Sequence, residues 1–389
     1  MEYLFENQHR RLRATELAFT RYLYDRINWD GRMVGIVGPR GVGKTTLMLQ
    51  YMKRELSPGE SLYISADQTY FAQHTLLEVA DRFHKMNGRH LLIDEVHRYP
   101  HWSAELKEIY DSYDDLHVIF SGSSVLDIYK GSADLSRRAV MYEMQGLSFR
   151  EYLLLFHGIR VPCHTLDEVL QGKARPEGIG HPLPLLHDYL QRGYYPFGRD
   201  ADFGHILQQI VTQTMENDIP QFAGMSVSTG YRLKRLMMTV AESVPFKPQM
   251  TVLSQATGIS RNDIPEYLYY MQRAGMVAQL KDGTAGIRGL GKTEKLYLDN
   301  TNLAYALVDG EPNVGNLRET FFYNQTRVSH AVVSSRTADF EIDGRTFEVG
   351  GKSKGKKQIA AASEGYVVKD DIECGYGNVI PLWAFGLLY

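Results

Sequence analysis

The chain has 389 residues, with 43 Lys and Arg against 46 Asp and Glu for a net charge of −3. That length suits about two to four domains, and the near-balanced charge argues against a surface built as a whole for polyanions. The two cysteines, Cys163 and Cys374, form no CxxC pair, the N-terminus has no apolar signal segment, and no window is apolar enough for a membrane span; together these exclude a disulfide framework, a cysteine zinc site and a spanning helix, and fit a reducing cytoplasm.

The apolar run 33–37 is the first predicted strand, and the residues after it are Gly38, Pro39, Arg40, Gly41, Val42, Gly43, Lys44 and Thr45, with Thr46 opening a helix-like segment over 46–53. This fits G-x-x-x-x-G-K-[ST] in its proper strand-to-helix context, which makes it a phosphate-binding loop. Glycines let successive N–H groups turn inward toward phosphate oxygens, and the helix N-terminus adds partial positive charge. Lys44 is then expected to reach the β- and γ-phosphates and the Thr45 hydroxyl to ligate Mg²⁺.

Four more strand-like runs follow at 61–66, 90–93, 117–120 and 139–144, separated by helical segments, so a parallel sheet with helical crossovers is predicted. The third run ends in Asp94-Glu95, about 50 residues after the loop lysine. Asp94 is expected to hold the Mg²⁺ hydration shell and Glu95 to orient and polarise the attacking water. The fourth run ends in Ser121-Gly122-Ser123-Ser124 and is expected between the loop strand and the Asp94 strand. Ser123 or Ser124 is the candidate for touching the γ-phosphate or the water, a helix N-cap being the alternative. Arg137 and Arg138 precede the fifth run. An arginine there can sense the γ-phosphate in its own subunit, act as a finger on a neighbour, or simply form a surface salt bridge.

Taken in order, GPRGVGKTTL, HLLIDEVHRYPHW, VIFSGSS, ADLSRR and GLSFREYL resemble the prokaryotic, archaeal-type AAA ATPases, with members from Bacteroides-like bacteria the nearest in character. GYYPF near residue 194, KLYLDNTNLAYAL near 296 and TFEVGGKSKGKKQI near 348 extend the resemblance over nearly the whole chain. It implies an ATPase core, a winged helix and a C-terminal region similar to PD-(D/E)XK nucleases, with ATP rather than GTP as nucleotide. Many relatives carry Gly-Arg where this chain has Arg137-Arg138, so only Arg138 falls on the family's arginine.

Residues 159–247 read as a helical spacer or lid, with the Pro- and Gly-rich piece 172–184 as a loop within it. Residues 248–298 read as helix, Gly258 turn, Ser260 cap, second helix and two strands, the order of a helix–turn–helix with a wing. Arg261 and Asn262 begin the second helix, but that helix carries two acids and few bases, a poor groove reader. In residues 299–389, Glu319, Asp339 and Glu348 follow the order of a PD-(D/E)XK site, whose carboxylates hold a metal beside a lysine. The lysine position is Gly350, so a degenerate nuclease fold is expected, with Lys352, Lys354, Lys356 and Lys357 as a basic binding loop or a solvated turn.

The expectation is therefore an α/β protein. Residues 1–158 form a P-loop AAA-type core, and spacer, winged helix and nuclease-like end domain follow. ATP and Mg²⁺ are its cofactors. Its action is that of a regulatory or remodelling ATPase, with an ATP-gated nucleic-acid switch as the alternative and an ATPase-coupled nuclease third. Nucleic acid, a protein partner or further copies of the chain are the partners to test, and no membrane is expected.

Overall fold

Five apolar runs become strands β1 (Met33–Val37), β2 (Ser61–Ser65), β3 (His90–Asp94), β4 (His117–Gly122) and β5 (Val140–Glu143) of one sheet in the computed structural model. Their order is β2-β3-β4-β1-β5 and every pairing is parallel. Helices cover both faces, so β1 is buried along its whole length; strands of this kind read as unbroken apolar runs rather than alternation. The structure describes residues 1–122, 135–243, 245–283, 292–352, 359 and 364–389.

The first crossover after β1 is helix α2 (Lys44–Glu55), and α3 (Leu76–Lys85) and α4 (Trp102–Ser112) follow β2 and β3. α3 starts at a capping box in which Thr75 Oγ1 accepts from Glu78 N at 3.0 Å and Glu78 Oε2 from Thr75 N at 3.1 Å, which satisfies two otherwise orphaned amides. The N-terminal helix α1 (Glu2–Ala14) has no counterpart in the sequence reading. It lies on edge strand β2: Gln8 accepts from Tyr63 N at 2.7 Å and donates to Ser61 O at 3.2 Å. One carboxamide thus pairs both kinds of backbone group that an edge strand leaves open.

The chain divides into two compact units, Met1–Gln145 and Gly146–Tyr389. Helix α5 (Phe149–His157), which the sequence reading assigned to the ATPase core, falls in the second unit. Its Phe149, Tyr152 and Leu153 enter a core with Phe321, Phe322, Trp383 and Phe385, and its N-cap Ser148 donates to the Tyr389 carbonyl at 2.8 Å. The piece 172–184 is less irregular than its prolines suggested: Pro182 opens a helix, Pro182–Asp188. Proline suits a first helical position because the N–H it lacks would have no partner there.

The helix–turn–helix order appears as α6 (Val227–Ser243), α7 (Met250–Thr257) and α8 (Ile264–Arg273), followed by the antiparallel hairpin β6 (Val277–Lys281) and β7 (Thr293–Leu298). Gly258 ends α7 at φ +71°, the left-handed turn that glycine adopts without strain. A second sheet holds β8 (Val332–Ser334), β9 (Phe340–Ile342), β10 (Arg345–Gly350), β11 (Gly365–Lys369) and β12 (Val379–Pro381), in spatial order β12-β11-β10-β9-β8. Helix α9 (Val314–Thr326) packs on it through Phe322, whose ring lies tilted against those of Phe340, Phe347 and Phe385. Hairpin residues Ala278, Leu280 and Tyr297 share this same core.

Two familial stretches in the second unit are explained by one buried polar network. Asp299 accepts from Arg327 Nη2 at 2.5 Å, Tyr194 OH at 3.2 Å and Asn300 Nδ2 at 3.3 Å. Asn302 accepts from Tyr194 N at 2.9 Å and donates to the carbonyls of Tyr189 and Leu190. Those carbonyls belong to the π-helical turn Tyr189–Gly193, whose wider ladder needs side-chain partners. GYYPF and LDNTN are thus a structural joint.

Candidate active site

β1 ends at Val37 and α2 starts at Lys44, so the intervening loop reverses direction beside buried elements. Gly38, Gly41 and Gly43 take φ of +153°, +80° and +99°, values that side chains disfavour. A Cβ on Gly38 would stand 2.2 Å from the Met144 carbonyl oxygen, so that glycine is also required by space. Lys44, buried at the start of α2, donates Nζ to the carbonyls of Gly38 and Pro39 at 2.8 Å each. Burial pulls its ammonium down to about 8, against the opposite pull of Glu95 and Asp94. Within the loop Pro39 and Val42 are buried and Arg40 half-buried, while Thr46 is exposed on α2.

The carboxylate predicted opposite the loop is there. Thr45 Oγ1 donates to Asp94 Oδ2 at 2.7 Å across two elements. Tyr63 OH, from β2, donates to the same oxygen at 2.8 Å, and Ser121 Oγ, from β4, donates to Asp94 Oδ1. Three hydroxyls therefore hold a carboxylate that is buried at the end of β3. Burial first and then Asp94 push the Tyr63 phenol far up, so it stays a donor.

Glu95 follows in the left-handed region at φ +53°, uncommon for a residue with a side chain and a frequent mark of functional sites. Its N–H donates to Ser121 Oγ at 3.4 Å, and its carboxylate lies 3.4 Å from His97 Nε2. Burial, with Arg98, Arg40 and Lys44 adding to it, pulls His97 down to about 3. The imidazole is therefore neutral.

Ser123 and Ser124 lie outside the described residues, and it is Ser121, one strand register from Asp94, that contacts the acid pair. Arg138 comes just before β5, at the edge where the parallel strands begin, whereas the loop leaves the edge where they end. There Arg138 makes a bidentate pair with Asp111, both bonds 2.8 Å; Arg137 is exposed.

In the second unit Glu319 and Asp339 do converge, but on a lysine. Lys295 Nζ, from β7, donates to Glu319 Oε2 at 3.0 Å and Asp339 Oδ1 at 2.9 Å. Tyr297 OH donates to Glu319 Oε2 at 2.8 Å. Burial and Asp339 push the Glu319 carboxyl up, partly offset by Lys295. Glu348 is buried on β10 between Phe347 and Val349, which face the aromatic core; strand alternation turns it to the other side of the sheet. Among the described residues no group of three or more His, Cys, Asp or Glu is placed to hold a metal ion. Lys352 is exposed; Lys354, Lys356 and Lys357 lie outside the described residues.

Sequence reasoning missed Arg21, Tyr63, Ser121 and His97. Tyr63 and Ser121 sit on strands whose register decides which side chain meets Asp94, and a single sequence carries no register between β2, β3 and β4. His97 had a local signal, two residues after Glu95 on the short turn Val96–Arg98. Arg21 lies before the first strand, and no motif marks it.

Residues 30–153 match the family described as an AAA domain, and residues 183–313 match one described as a domain of unknown function. The chain is 32% identical over 197 residues to an uncharacterised protein of Methanocaldococcus jannaschii, covering 46% of this chain; it spans 41% of that relative's length. Among solved structures, a Walker-type ATPase of Pyrococcus abyssi aligns with TM-score 0.41 and 12% identity over 78% of this chain and 95% of that one. DnaA of Aquifex aeolicus bound to AMPPCP aligns with TM-score 0.26 and 12% identity over 64% and 84%. The match to the AAA domain over residues 30–153 takes in the glycine loop, Asp94 and all five strands of the parallel sheet.

Proposed function

We propose that this chain binds ATP and hydrolyses it with Mg²⁺, as a regulatory or remodelling ATPase. The observation that carries the reading is the 2.7 Å contact between Thr45 and Asp94 beside the glycine loop. These are the hydroxyl and carboxylate that P-loop enzymes use around Mg²⁺. The donor set is all oxygen, as a hard cation requires. Bound there, Mg²⁺ would neutralise phosphate charge.

The protein's own groups divide the remaining work. Loop amides from Gly38 to Thr45 and the Lys44 ammonium bind the phosphates, and Ser121 and Tyr63 hold the Asp94 rotamer. Glu95 orients the attacking water, with neutral His97 beside its carboxylate. Arg138, at the far edge of the sheet, suits contact with the γ-phosphate of a neighbouring subunit rather than its own, so self-assembly belongs to the proposal. Lys44→Ala should abolish nucleotide binding, and Glu95→Gln should retain binding but lose about 10²-fold or more in turnover. Unchanged ATP turnover in Lys44→Ala would sink the reading.

Helix–turn–helix and hairpin together favour a second reading, an ATP-gated nucleic-acid switch with the winged helix or the 352–357 loop as contact. Against it, α8 presents Glu266 and an exposed Tyr269 and has Arg273 only at its end. Salt-sensitive DNA binding that changes with nucleotide would favour the switch. A nuclease is supported least: Lys295 sits between the two carboxylates that a metal would need. Two free, exposed cysteines suit a cytoplasmic location.

A further inference from the structure

Outside every motif, the buried Arg21 points its guanidinium at two backbone carbonyls. Nη1 donates to Val42 O, inside the phosphate loop, and Nη2 donates to Gln145 O at 2.7 Å, just past the end of β5. Only 4% of the residue is exposed. Burying a guanidinium is costly, and it survives where its donors are used in fixed geometry. Here the fork spans the loop and the exit of the neighbouring strand.

Helix α2, which begins with Lys44 and Thr45, itself delivers the segment that carries Arg21. Gln50 Nε2 donates to the carbonyls of Glu16 at 2.8 Å and Phe19 at 2.6 Å. Lys53 Nζ donates to Thr15 O and Arg54 Nη2 to Leu17 O, both at 2.7 Å. Tyr22 completes the brace: its OH accepts from Gln145 N at 3.3 Å, so the Arg21–Tyr22 pair grips both groups of that residue. The segment is laid along the helix behind the loop and returns to the loop's crest.

The consequence follows from the planar trans peptide. The Val42 carbonyl and the Gly43 N–H belong to one rigid unit and point in opposite directions. With Arg21 holding the carbonyl, the Gly43 N–H is directed away from the guanidinium. Gly43 then enters α2 at φ +99°, leaving the donor oriented before any ligand arrives.

We propose that Arg21 is a positioning residue for the nucleotide: it sets the Val42–Gly43 peptide so that the loop amide meets phosphate without reorganising. The proposal rests on the ATPase reading and adds a part outside the loop motif. Preorganised donors are worth most because no free energy is spent ordering them on binding.

The test titrates a fluorescent ATP analogue with Mg²⁺ into full-length parent, Lys44→Ala, Arg21→Lys and Arg21→Ala, with thermal unfolding of each without nucleotide. Lysine places a point charge where a fork spanned two carbonyls. Arg21→Lys should keep the ligand-free melting temperature within a few degrees and lose about tenfold in affinity, with KM rising more than kcat falls. Millimolar guanidinium should restore part of the affinity of Arg21→Ala, a rescue that a purely structural role would not show. Should Arg21→Ala fail to fold, Arg21→Lys alone decides. The proposal is overturned if the parent binds, Lys44→Ala does not, and Arg21→Lys binds within about twofold of the parent. Failure of the parent itself to bind would instead overturn the ATPase reading.

Discussion

Asp94 is held by residues from three other elements, only one of them in the glycine loop. Its carboxylate takes Thr45 and Tyr63 on one oxygen and Ser121 on the other. Such donors offset the loss of water around a buried carboxylate, and their directions fix its rotamer. Tyr63→Phe should leave the chain folded, because Phe fills the same volume on β2. It should raise the Mg²⁺ concentration for half-maximal turnover by about tenfold, the usual effect of losing a group that orients a metal-binding side chain. An unchanged Mg²⁺ titration would show that Thr45 and Ser121 suffice. At this scale the sequence exposed the phosphate loop, Asp94 and Glu95, because adjacent residue types carry them. It left Tyr63 and Ser121 obscure, because they meet Asp94 only through strand pairing.

Among the elements, the parallel order was legible from alternating apolar runs and helices, and β4 does lie between β1 and β3. Helix α1 was not, since its polar surface gives little periodic signal. Its role is concentrated in Gln8, which is fully buried and pairs both Tyr63 N and Ser61 O on the edge strand. Gln8→Ala should leave a donor and an acceptor unpaired at a buried edge, costing about 2–6 kcal/mol of stability at about 1–3 per unsatisfied group. Urea denaturation would read this as a lower midpoint at unchanged slope. A loss below about 0.5 kcal/mol would mean that water replaces the carboxamide. Since Gln8 bonds the backbone of Tyr63, Mg²⁺ dependence in the same variant would report how far the edge supports the site.

For the whole molecule, the boundaries expected from composition gave way to two units. The spacer, the hairpin and the end sheet read as three pieces in sequence, yet Tyr152, Leu280, Tyr297, Phe322 and Trp383 belong to one core. Phe322→Ala, which removes a ring touching Phe340, Phe347 and Phe385, should cost about 3–5 kcal/mol. Calorimetry should show a single second-unit transition moving down as a whole. Separate transitions for its helical and sheet parts would refute the common core.

Local chemistry made the candidate nucleotide site legible: a strand, a glycine loop and a lysine at a helix start are contiguous, and an acid pair follows about 50 residues later at the end of another strand. The nuclease-like order of Glu319, Asp339 and Glu348 is spread over separate elements, and order alone says nothing of what each side chain meets. Tertiary packing placed Lys295 between the first two carboxylates and turned Glu348 to the other face of its strand. The same packing set Ser121 on Asp94 and Arg138 on Asp111. It also brought Arg21 to the loop. Residue type is written in sequence, but which distant side chains share a few ångströms is decided by register, strand alternation and the closing of cores.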